Sequence, residues 1–140
     1  MDRVRLAAMS TTTLTVEEME RVVADPSAGA LVSFGGVVRD HDHGREVESL
    51  DYEAHPTAER VLQEIAAEVA ARHDLVALAV GHRSGPLKVG DAALVAAVSS
   101  HHRREAFAAC ADLVDTVKER LPVWKHQRFA DGTEEWVNCA

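Results

Sequence analysis

Between Pro56 and Asp74 the apolar residues Ala58, Val61, Leu62, Ile65 and Val69 recur at helical spacing, with Glu59, Arg60, Glu64 and Glu68 on the other side. A stripe of that period commits the segment to a helix that must bury one face. The chain supplies the surface to bury it against: Leu75 to His82 and Ala92 to Ser99 are short apolar runs, separated by Ser84-Gly85-Pro86 and Gly90-Asp91, and read as strands. A helix that must dock and strands too short to stand alone point to a layered α+β domain.

The remaining punctuation agrees. Thr15-Val16-Glu17-Glu18 is a capping box opening a helix to about Ala24, closed by Asp25-Pro26-Ser27. Ala30 to Arg39 reads as a strand in which Gly35-Gly36 marks a bulge or a close approach of another group. Val47 to Tyr52 alternates with an imperfect period of two and pairs back through a hairpin. A second long helix follows Ser99-Ser100, either serine serving as N-cap, and runs to about Arg120 on the stripe Ala106, Phe107, Cys110, Leu113, Val114 and Val117. Pro122 stops it, Val123-Trp124 begins an extended segment, and Asp131-Gly132 marks a turn before Trp136-Val137. The expectation is one domain over residues 1–140, with four to six strands and about three helices.

Charge narrows the function. Fifteen Lys and Arg against 23 Asp and Glu leave a net charge of −8, which disfavours a nucleic-acid partner. No apolar run of about 18 residues exists, so no membrane span is expected, and Met1 to Ser10 lacks the apolar core of a signal peptide. Two cysteines, Cys110 and Cys139, suit a reducing compartment, and a cytoplasmic protein is expected. Against this acidic background, Ser99 to Arg128 is locally basic through Arg103, Arg104, Lys118, Arg120, Lys125 and Arg128. His101-His102 beside Arg103-Arg104 fits an anion at a helix N-terminus. Lys118 falls one turn after Val114 at the edge of the apolar stripe, where partial burial would suit it to acid–base or nucleophilic work and snorkelling is the plain alternative. His41-Asp42-His43 is a rival metal cluster, but HExxH and CxxC are absent and no metal is expected. Cys110 lies on an apolar stripe and reads as inert. No GxSxG, P-loop or GxGxxG occurs, and no cofactor is expected.

Four blocks then carry a family resemblance: Phe34-Gly35-Gly36-Val37-Val38-Arg39-Asp40-His41; Leu50-Asp51-Tyr52-Glu53-Ala54-His55; His82-Arg83-Ser84-Gly85-Pro86-Leu87-Lys88-Val89-Gly90-Asp91; and Ser100-His101-His102-Arg103-Arg104-Glu105-Ala106-Phe107 with Lys118, Pro122-Val123-Trp124-Lys125, Asp131-Gly132 and Trp136. Together they resemble the large catalytic subunit of molybdopterin synthase. The resemblance implies an α/β hammerhead-type α+β fold with an antiparallel sheet, and a homodimer within a heterotetramer. Its partner is a small ubiquitin-like sulfur carrier whose C-terminal Gly-Gly thiocarboxylate enters the site. The implied activity is a sulfurtransferase that turns cyclic pyranopterin monophosphate into the dithiolene of molybdopterin, a step of molybdenum cofactor biosynthesis. By position, Lys118 and Lys125 match the catalytic lysines, and Arg39, His102 and Arg103 match pterin- and phosphate-binding positions. Val37, Val38, His126 and Gln127 fall where the family lines the substrate site, and Phe34 where an aromatic contacts the inserted tail. Gln127 stands where a glutamate is common. The alternative reading is a module of the same fold that binds an anion or a carrier tail without turnover.

Overall fold

In a computed structural model, residues 2–138 are described, and Cys139 lies outside them. The chain forms β1 (Val4–Ser10), α1 (Val16–Val23), β2 (Ala30–Val37), β3 (His41–Asp42), β4 (Arg45–Ala54), α2 (Ala58–Arg72), β5 (Ala77–Arg83), β6 (Gly85–Leu87), β7 (Ala92–Ser100), α3 (Arg103–Arg120), β8 (Val123–Phe129) and β9 (Glu134–Val137). The three helices and the α+β class follow the expectation. Three elements do not. β1, with no alternation to announce it, pairs parallel with β5. β3 is a two-residue strand on β4, and β6, expected as turn, pairs with β4.

One sheet runs β1-β5-β7-β2 and carries helices on both faces. Its central strands β5 and β7 are buried almost throughout, because successive side chains point to opposite faces and both faces are covered. Leu78, Val80, Leu94, Ala96 and Val98 face α2 and α3. The alternate residues Ala77, Ala79, Val95 and Ala97 face Met19 and Val23 of α1. The second sheet runs β3-β4-β8-β9, with β6 on β4. In β4 a bulge between Val47 and Ser49 resets the alternation, so that Val47, Leu50 and Tyr52 are all buried.

The helix ends have local causes. Thr15 Oγ1 accepts the Glu18 N–H at 3.2 Å, as the capping box requires. Neither serine caps α3: Ser99 and Ser100 continue β7, and His102 is the N-cap without a capping side-chain bond. Ser99 Oγ instead donates to Val23 O at 2.7 Å, and Ser100 Oγ donates to His102 O. Phe107, expected on the buried stripe of α3, is 62% exposed. Midway along α3, Asp112 accepts Nε and Nη2 of Arg72 at 3.0 and 3.1 Å and pairs with His73 Nε2 at 2.7 Å, tying the end of α2 to α3. These hydrogen bonds, those from Arg72 foremost, hold the Asp112 carboxyl below its ordinary range. Gly132, with φ +89°, makes the β8–β9 turn in a conformation that a side chain would strain.

Candidate active site

Where the two sheets meet, the end of β2, β4, β5, the last turn of α3 and β8 enclose a cleft of about 220 Å³. The expected bulge is there: the β2–β7 register shifts between Gly36 and Val37. Gly36 lines the cleft, and a Cβ on it would come within 3.2 Å of the Phe34 ring. Phe34 itself is half-buried against the main core and supports Gly36 instead of lining the cleft. Val37 and Val38 form the wall. The Val38 N–H donates to Asp91 O at 2.9 Å and its carbonyl accepts from the Gly90 N–H at 2.8 Å, so its backbone is spent on the turn before β7.

Three cationic side chains reach this cleft from three separate elements: Arg39 from the loop after β2, Lys118 from the last turn of α3 and Lys125 from β8. Lys118 is exposed at the rim, so of the two readings offered for it the structure fits snorkelling and not partial burial. Arg39 Nη2 is 3.2 Å from Asp42 Oδ1. Gln127 is 3% exposed, and its Nε2 donates to Asp42 Oδ2 at 2.7 Å and to Glu135 Oε1 at 3.3 Å. The amide therefore bridges two acids, and its hydrogen bond is the main reason the Asp42 carboxyl sits below its ordinary range. Asp42, His43 and Glu135 place three potential ligand atoms within 4.8 Å of one another, but the two carboxylates are held by Gln127 and, for Asp42, by Arg39.

The other expected site residues lie elsewhere on the chain. His126 alternates away from Lys125 and Gln127 along β8. Its ring stacks on Trp136 with centroids 4.2 Å apart, and its Nε2 is 3.5 Å from Glu134 Oε2. His102 and Arg103 line a different pocket, with Arg104, Phe107 and Ala108. They follow the far end of β7, whose nine residues span roughly 26 Å at about 3.3 Å each. Helix α3 then runs back from Arg103 to bring Lys118 to the cleft.

Two aromatic, polar-tipped lining residues were not singled out from the sequence as site residues. Tyr52 and His82 stand in the quoted motif blocks, but only the pairing of β4 with β6 and β8, beside β5, brings them together. The Tyr52 and His82 rings meet edge to face at 4.9 Å. Cys110 is buried, and burial pushes its thiol up to about 11, which disfavours the reactive thiolate.

Comparison with known proteins identifies the frame. Residues 9–120 match the family described as MoaE protein. Over 123 residues the chain is 43% identical to a molybdopterin synthase catalytic subunit of Pyrococcus abyssi, covering 87% of this chain and 82% of the relative. A catalytic subunit of the same name from Nostoc is 39% identical over 127 residues, covering 89% and 77%. Among solved structures, molybdopterin synthase from Staphylococcus aureus superposes with a TM-score of 0.85 at 32% identity, covering 93% of this chain and 95% of that one. The family match takes in most of the chain and the relatives are covered over most of their own length, so the chain belongs to the molybdopterin synthase catalytic subunit family.

Proposed function

We propose that the cleft is where sulfur passes from the thiocarboxylated tail of a small ubiquitin-like carrier to cyclic pyranopterin monophosphate. The observation that carries this reading is the convergence of Arg39, Lys118 and Lys125 on one cleft. Both reactants are anions, a cyclic phosphate and a thiocarboxylate, and a cationic pocket with a low-dielectric wall binds both. The carrier's sulfur is the nucleophile. It bonds to a side-chain carbon of the pterin as a C–O bond of that carbon breaks, the oxygen leaving on the opened phosphate or, protonated by a lysine, as water, and the sulfur is left as a thioester to the carrier. Water then attacks the acyl carbon, the C–S bond breaks, sulfur stays on the product and the carrier departs as a carboxylate. Lys118 and Lys125 stabilise the oxyanion of the tetrahedral intermediate and shuttle protons. The same set of residues also serves a module that binds without turnover, and product formation separates the two readings.

The family pattern puts His102 and Arg103 at the substrate, whereas in one chain they are held at the far end of β7. A homodimer reconciles these facts, with the second copy's His102 and Arg103 completing the anion site. The exposed Phe107 beside them supplies apolar surface for such a contact.

Mixing the protein with thiocarboxylated carrier and cyclic pyranopterin monophosphate, and following the dithiolene by mass spectrometry, tests the reading. Product that falls by about a hundredfold or more in Lys118→Ala supports it, in line with loss of an oxyanion donor. Wild-type activity in Lys118→Ala refutes the assignment, and a bound carrier with no product in the wild type supports the binding module.

A further inference from the structure

His82 is fully buried in the wall of the cleft. Its Nδ1 lies 2.7 Å from the Arg83 carbonyl oxygen, which can only accept, so Nδ1 carries the ring proton. Nε2 is then the bare nitrogen with a lone pair, buried and without a hydrogen-bond partner. Burial pushes the imidazole down to about 4, and the nearby Lys118 ammonium acts in the same direction, so the ring is neutral at physiological pH. A buried acceptor left empty is costly, and in the wall of a cleft that cost is removed when a bound ligand supplies the donor.

The other polar groups of the cleft divide by what they can bind. Arg39, Lys118 and Lys125 are donors matched to an anion. The Asp42 carboxylate is already held by Gln127 and Arg39. An uncharged part of a ligand lodged against Leu50, Tyr52 and Leu94 lies against the wall to which His82 belongs.

We infer that His82 is a substrate-binding residue of this cleft, its Nε2 accepting a hydrogen bond from an N–H or O–H on the uncharged heterocyclic part of the substrate while the cations hold the phosphate. This assignment rests on the substrate reading given above. Its consequence is specificity: a heterocycle without that hydrogen would leave Nε2 buried and empty, a mismatch that binding sites reject strongly.

Calorimetry with cyclic pyranopterin monophosphate and, separately, with inorganic phosphate tests it on wild type, His82→Leu and His82→Gln. Glutamine returns an oxygen acceptor at the ring's far edge, and leucine fills the volume without one. The expected result is about tenfold weaker binding of the pterin by His82→Leu, unchanged phosphate binding, and substantial rescue in His82→Gln, since one net hydrogen bond is worth about a decade in affinity. Nitrogen-15 spectra of the labelled imidazole add a direct readout: the Nε2 resonance shifts when the pterin binds and stays still with phosphate. Equal pterin affinity in wild type and His82→Leu overturns the inference. So does parallel loss of pterin and phosphate binding in both variants, which marks His82 as a structural support. Wild-type protein that binds phosphate but not the pterin sinks the substrate reading, and this assignment with it.

Discussion

Gln127→Glu isolates the most distinctive feature of this cleft. The wild-type amide donates to Asp42 at 2.7 Å and to Glu135 at 3.3 Å from a site that is 3% exposed. A glutamate there removes both donors and packs a third carboxylate against two others. Carboxylates this close do not all ionise, so one takes up a proton, as in carboxylate dyads. Raising one carboxyl from about 4.3 to near 6 costs about 2 kcal/mol at pH 7, at 1.36 kcal/mol per unit of pKa. Arg39 and Arg45 face the cluster, but their side chains are 65% and 35% exposed and screened, and offset only part of this. The sign follows from linkage. A group whose folded pKa is raised binds its proton more tightly when folded, so the variant's deficit is largest above the raised pKa and shrinks as pH falls through it towards 4. Urea unfolding at pH 7.5 and pH 5 should give a deficit of about 2 kcal/mol at the higher pH and about half of that at the lower. The reciprocal pair Asp42→Asn with Gln127→Glu restores an amide opposite a carboxylate and should recover about half the loss, the Glu135 contact remaining unfavourable. A Gln127→Glu variant as stable as wild type at both pH values would refute the bridging role. So would a double variant whose deficit is the sum of the two single ones.

Three further outcomes are expected. Asp112→Asn loosens the α2–α3 clasp and should cost about 1 kcal/mol by chemical denaturation, a modest figure because Arg72 is half exposed. Since the folded pKa of Asp112 is lowered, the wild-type contribution is present above the ordinary carboxylate range and lost as pH falls through the folded value. The gap between wild type and variant should therefore close in acid. Trp136→Ala removes the stacked partner of His126 and should lower stability by about 1 kcal/mol with no change in pterin affinity, measured by melting and calorimetry. Arg39→Ala and Arg103→Ala, each inactive alone, should regain about a quarter of wild-type turnover when mixed, because half of randomly exchanged dimers carry one intact site. No recovery after verified exchange would place both residues in one chain's site.

The long helices were legible because a 3.6-residue stripe is local: Ala58, Leu62, Ile65 and Val69 are all buried, as their spacing requires. β1 was not, because its place is fixed by a parallel partner, β5, far along the chain, and parallel pairing leaves no hairpin turn to read. The cap of α3 was misplaced for a related reason. Ser99 and Ser100 have good capping side chains, but β2 pairs with both, the strand keeps them, and the helix starts later. Of the site, Arg39, Lys118 and Lys125 were legible through motif, whereas the Gln127 bridge and the His82 acceptor depend on contacts between β8 and the β3 strand, and on burial beside β4, which no local pattern encodes.

The separation of Arg103 from Lys118 belongs to a different category, because it was calculable beforehand. Both lie on α3, and a rise of 1.5 Å per residue puts their backbones roughly 22 Å apart. Arginine and lysine side chains span only part of such a gap, and these two are held at opposite ends of a rigid rod. One helix therefore cannot bring both to one small phosphate, however it packs. The family pattern assigns both to a single substrate, and this distance is the reason the proposed function takes Arg103 from a second copy of the chain.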